Sequence, residues 1–173
     1  REVNLDLLEQ FPNSLVVASL QGWVRQWDSS GLISARHWDG REVLPHINAA
    51  VVSIEDVEDP GMIDDWARIA STLIVTMGDR GAWVYAHGHR HRIDAFPTVE
   101  VDPTGAGDVF ATAYLVRHRE TSEPFEAALF ASCAASFAVE AEGVGGIPNR
   151  AQIEERLRSR RRHEHGSALP GLS

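Results

Sequence analysis

Apolar positions fall into short runs broken by turn residues over the first half of the chain, and into longer helical spacings over the second. Residues 15–19 (LVVAS) follow FPNS and read as a buried strand. Residues 32–38 (LISARHW) allow another strand, and 49–54 (AAVVSI) form a β-branched run that ends in the acidic cluster EDVEDPG. Residues 64–70 carry a short helical pattern. TLIVTM (72–77) is the strongest strand signal. GDRG then turns the chain into AWVYA (82–86), and HGH turns it back into RHRID, a hairpin or meander. Three helices follow, over about 105–118, about 124–141, and from residue 150 with Asn149 as its N-cap. Strands alternating with helices predict one α/β domain with a largely parallel sheet. Neither an internal repeat nor a linker divides it.

Composition narrows the chemistry. The net charge of −9 argues against a nucleic-acid binder. The arginine run at Arg156, Arg158, Arg160, Arg161 and Arg162 reads as a solvated helix end, and residues 163–173 as a disordered tail. All 16 basic residues are arginine. A phosphate loop of the GxxxxGK[ST] kind and Schiff-base chemistry both need lysine and are excluded. The single cysteine, Cys133, lies in an apolar helical run and reads as a buried thiol. Without a signal peptide or an apolar run of about 18 residues, the expected location is cytoplasmic, away from any membrane. His87, His89 and His91 alternate, but around a hairpin tip, and read as a solvated turn. The first residue is Arg1 inside a helix-like stretch, so an N-terminal portion is expected to be missing.

The candidate site is VDPTGAGDVF, residues 101–110. Gly105, Ala106 and Gly107 open a helix whose first N–H groups lack intrahelical acceptors. Such amides bind an anion without any lysine. Asp108 is the anomaly, because a carboxylate 4 Å from a phosphate charge costs about 4 kcal/mol at an effective dielectric of 20. It either complements the helix dipole or accepts a proton from an attacking hydroxyl. Val109, Phe110, Ala113 and Tyr114 form an apolar stripe that anchors this helix to the sheet.

DPTGAGDVF resembles the C-terminal signature of the PfkB/ribokinase family of carbohydrate and nucleoside kinases. TLIVTMGDRGAWVY resembles the family's strand, TxGxxG turn and hairpin, and AASFAVEAEGVGGIP its adenine-side helix and loop. The resemblance covers about residues 15–160 and implies a three-layer α/β/α ribokinase-like fold with a mostly parallel central sheet. Residues 1–162 would then be the nucleotide-binding and catalytic part, with the N-terminal lid part absent from this chain. It implies transfer of the ATP γ-phosphate to a hydroxyl of a sugar or polyol. Asp108 would be the general base, and the amides of Gly105, Ala106 and Gly107 the anion hole. Thr76, Gly78, Gly81, Thr104 and Gly143 would lie along the nucleotide. Asp102, with Thr104, Ala138 and Gly143, would hold a monovalent cation such as K⁺.

The family's Asn-x-x-Glu magnesium motif is replaced here by SIED (53–56), so Asp56 or adjacent Glu55 would hold Mg²⁺ through water. Thr112 stands where the family has a smaller residue. LQGWVRQWD (20–28) resembles the inositol-kinase-like branch, in which Gln21 and Arg25 would face substrate. A nucleoside kinase, or a regulator that keeps the fold without turnover, remains the alternative. A homodimer is an open reading of the assembly.

Overall fold

The computed structural model describes residues 6–166. Residues 1–5, and the part of the expected tail at 167–173, lie outside them. The central sheet has the order β1-β4-β5-β6-β7. Strands β1 (Val17–Ser19), β4 (Ala49–Ser53) and β5 (Thr72–Thr76) run parallel. Strands β6 (Ala82–Ala86) and β7 (His89–Ile93) complete it as an antiparallel meander. Between β1 and β4 the chain makes the short helix α2 (Gln21–Val24) and a separate hairpin of β2 (Arg25–Trp27) and β3 (Ile33–Ala35). The preceding helix α1 is a single turn, Asp6–Glu9.

β4 and β5 are continuous apolar runs because both faces of the sheet are covered. Ala50, Val52, Leu73 and Val75 face α3 (Gly61–Ile69), whose Met62, Ile63 and Trp66 are buried against them. Ala49, Val51 and Ile74 point the other way, toward α4 (Ala106–Thr121) and α5 (Pro124–Ala138). This is the three-layer α/β/α arrangement the sequence implied. α5 is alanine-rich and apolar nearly all round, since one side meets the sheet and the other meets α6 (Arg150–Gly166) through Phe130, Cys133, Ala134 and Ile153. Cys133 is buried as expected, and burial pushes its thiol up to about 11.

Several expectations change in detail. Residues 15–19 were expected to be a buried strand, but among the described residues β1 pairs with β4 alone and is half-buried to exposed. The second helix ends at Ala138, three residues early, where the chain turns back toward the glycine-rich loop. The last helix continues to Gly166, past the expected start of the tail at 163. Asn149 caps it reciprocally: its Oδ1 accepts from Gln152 N (3.0 Å), and Gln152 Oε1 accepts from Asn149 N (2.9 Å). Tryptophans that look scattered in sequence converge. Trp23, Trp38 and Trp66 form one cluster with centroids 5.9 and 5.7 Å apart, and Trp66 Nε1 donates to Trp38 O.

The lower half of α4 carries a pH-sensitive contact. Tyr114 and His118 stack at 5.4 Å, and His118 Nδ1 has no hydrogen-bond partner among the described residues. Burial pushes Tyr114 up to about 12. Burial also holds His118 below its ordinary 6.5; His87 adds to this and Glu123 opposes it. A depressed folded-state pKa means that the stability is fully present above pH 6.5 and lost as pH falls through the folded value. Melting temperature should therefore decline from pH 6.5 to 5, and His118→Phe should flatten that part of the profile. Thermal melts across this range check it; an unchanged slope in the variant would refute the assignment.

Candidate active site

Ligand-binding residues in such a sheet belong at the carboxyl ends of the parallel strands. The register places Ser53, Thr76, Ala82 and Ile93 side by side at that end. From there three segments rise: a 3-10 turn at Ile54–Asp56 after β4, another at Gly78–Arg80 after β5, and the loop from β7 into α4.

Gly105 is the cap of α4 and takes φ +81°, a left-handed conformation that costs glycine nothing. It precedes the first turn rather than standing in it. Ala106 N donates to Pro103 O (3.2 Å), so this one of the three expected anion-hole amides is occupied. The N–H groups of Gly105, Gly107 and Asp108 have no acceptor among the described residues. The space above Gly105 and Gly107 is open to 4 Å, leaving room for a ligand to reach the backbone. Asp108 is exposed and forms neither an ion pair nor a hydrogen bond among the described residues. Beside it runs an apolar groove of about 380 Å³, lined by Val109, Thr112, Val116, Phe130 and Ile147. The apolar stripe therefore divides: Phe110 and Tyr114 pack on the sheet, while Val109 and Ala113 line this groove.

The loop before α4 is tightly organised. Asp102 Oδ1 accepts from Thr104 N (2.9 Å), and its Oδ2 accepts from Gly143 N (3.5 Å). The Thr104 hydroxyl, then its amide, then the Gly143 amide hold the Asp102 carboxyl below its usual range. Val139 O accepts from the amides of Val101 (2.7 Å) and Asp102 (3.2 Å). The structure thus brings Asp102, Thr104 and Gly143 together, with Ala138 one residue from their common anchor.

The turn after β5 divides its own motif. The Thr76 hydroxyl donates inward to Val52 O (3.3 Å). Gly78, at φ +60°, has open space around it. Gly81 does not: a Cβ there would lie 2.1 Å from Ile93 O. Gly78 leaves open space at the turn, whereas Gly81 is required by packing.

The residues expected to hold magnesium and substrate turn out to face one another. Asp56 is buried, and its Oδ1 pairs with Arg25 Nε at 2.7 Å. The Gln21 carboxamide oxygen, oriented to satisfy its neighbours, accepts from both terminal nitrogens of Arg25 at 2.8 and 2.9 Å. The Asp56 carboxylate is therefore paired with arginine through Oδ1, and the Arg25 guanidinium is engaged within the fold. Glu55 remains exposed, with its N–H on Ser53 Oγ. The described residues contain no cluster of three His, Cys, Asp or Glu able to hold a metal by themselves. A single carboxylate still fits magnesium, which keeps most of its waters. Sequence inspection missed the Arg25–Asp56 pair because its partners are 31 positions apart in unrelated motifs.

A family model described as pfkB family carbohydrate kinase matches residues 48–150. An inositol 3-kinase from Zea mays is 28% identical over 163 residues, which cover 91% of this chain and 42% of that protein. Among solved structures, a nucleoside kinase from Methanocaldococcus jannaschii superposes with a TM-score of 0.74 at 26% identity, over 91% of this chain and 53% of that one. A ribokinase II from E. coli, solved with ATP and Mg²⁺, gives 0.63 at 25% identity over 69% and 42%. The chain spans less than half the length of the curated relatives it matches.

Proposed function

Because the chain belongs to the pfkB family of carbohydrate kinases, we propose that it is the nucleotide-binding and catalytic part of a kinase that phosphorylates a hydroxyl of a small sugar or polyol. The observation that carries this is Asp108, a carboxylate in the first turn of α4 with no partner among the described residues, beside free amides. A site that only stored phosphate would gain nothing from that charge. A site that moves phosphoryl groups uses it to accept the proton of the attacking hydroxyl.

In this reading ATP lies along Gly78 and the loop at 102–104, with its γ-phosphate at the start of α4. The amides of Gly105, Gly107 and Asp108 meet the charge that develops on the transferring group, and such preorganised donors are worth roughly 3 kcal/mol each in other enzymes. Magnesium, held through water by Glu55, would neutralise phosphate charge. The Asp102 carboxylate, already fixed by two amides, would hold the monovalent cation. Val101 and Val144 are exposed beside this loop and offer an apolar wall for the base. The relatives include inositol, fructose, ribose and nucleoside kinases, and the likeness of residues 20–28 to the inositol-kinase-like branch is what supports a polyol here.

The test is ADP release from ATP by the complete protein across myo-inositol, ribose, fructose and nucleosides, with and without Mg²⁺ and K⁺. Turnover with a polyol or sugar is expected. ATP binding without phosphorylation of any acceptor would instead support the regulator reading. No helix among the described residues is long and apolar enough to cross a membrane.

A further inference from the structure

A network of side chains ties α6 to the loop that carries the anion-binding amides. Arg156, on α6, places Nη2 2.8 Å from Glu140 Oε2 and Nη1 2.8 Å from Ser136 Oγ. Its guanidinium lies 3.4 Å above the Phe137 ring. The other Glu140 oxygen is met by Thr98 Oγ1 at 2.6 Å, and that hydroxyl also lies 3.1 Å from Ser136 O. Thr98 begins the run that leads through Val101 and Asp102, both on Val139 O, to Gly105. The hydrogen bond from Arg156 first, and that from Thr98 after it, hold the Glu140 carboxyl below its usual range against the opposing effect of burial.

We propose that Arg156 is a positioning residue for phosphoryl transfer: through Glu140 and Thr98 it fixes residues 98–104, and so the start of α4, in the binding geometry. The proposal rests on the kinase reading above. Both ends of the path are discrete. The guanidinium binds Ser136 and Glu140 at once while stacked on Phe137, a geometry that a lysine ammonium cannot reproduce. At the far end, Val101 and Asp102 share one carbonyl, so a small displacement of the loop breaks both bonds together. An ordinary half-exposed ion pair would contribute little to global stability. The effect of Arg156 should therefore appear locally.

In the complete protein, Arg156→Gln is expected to speed amide hydrogen exchange at Val101, Asp102 and Thr104 by about tenfold, with exchange in β4 and β5 unchanged. The kcat should fall by about tenfold with little change in the acceptor KM. Arg156→Lys should recover less than half of either loss. Thr98→Val cuts the same path from an exposed position where folding is not at risk, and should give about a threefold effect on both. Exchange at 101–104 that is unchanged in both variants would overturn the proposal, as would loosening spread evenly over the sheet. The exchange measurement needs no turnover, so failure of the kinase reading and failure of this positioning role are separable.

Discussion

Asp108→Asn in the complete protein should lower kcat by about three orders of magnitude, equivalent to roughly 4 kcal/mol of transition-state stabilisation. Asparagine keeps the shape of the side chain and its place in the first turn of α4. It removes the ability to take a proton. It also removes a negative charge from beside the phosphate amides, so ATP should bind as well as before or more tightly. Loss of turnover with undiminished nucleotide affinity separates a base from a binding residue, which would lose both. The exposure of Asp108 and its lack of any partner mean that the substitution leaves folding intact. Steady-state kinetics and titration calorimetry read the two quantities. A kcat within a few-fold of the parent would refute the assignment.

Gly81→Ala should be the most destabilising single-methyl change in the site region. The new Cβ would lie 2.1 Å from Ile93 O and 2.8 Å from Ala95 N, both backbone atoms that cannot turn aside. The residue also sits at φ +86°, where an L side chain is strained. Strain and overpacking together suggest a loss of about 3 kcal/mol or more. The damage would travel, because Ile93 ends β7 and its loop leads directly to α4. Gly78→Ala, with open space around it, carries only the backbone strain and should cost less than half as much in stability while impairing nucleotide binding more. Chemical denaturation of the two variants gives the comparison. Equal losses would show that the close approach at Gly81 relaxes freely.

These two glycines show what the sequence could and could not reveal. Both belong to one motif, TMGDRG, and both look like ligand-facing residues there. Only the approach of the β7 backbone separates the one that accommodates packing from the one left open. Strands β4 and β5 were legible because burial on both faces demands unbroken apolar runs. The meander was legible because HGH has no other reading than a turn. The start of α4 was legible from its glycines, whose function is local.

What escaped were relations between distant positions. Asp56 was read as a magnesium residue because SIED stands in place of the family's Asn-x-x-Glu motif, and nothing in that motif announces its ion pair with Arg25 from the segment after β1. β1 looked buried because its residues are apolar, yet burial depends on how many strands flank it. The Arg156 network links side chains from three segments, and no spacing in the sequence announces it. The resemblance grouped Asp102, Thr104 and Gly143, and the Asp102 carboxylate accepts from the amides of the other two. It could not say that the Ala106 amide is already taken.

The two borders of the sheet differ in character. β7 exposes His89, Arg90, His91 and Arg92 along its outer margin, and Arg90 lies over Trp83 at 4.5 Å. Charged side chains on an edge strand disfavour pairing with a further strand. β1 presents Val17, Ala18 and Ser19, uncharged and joined to a neighbour on one side alone. Recruitment of further strands is therefore directional. Among the described residues, β1 leaves an uncharged edge with free backbone groups, whereas β7 borders the other edge with charged side chains.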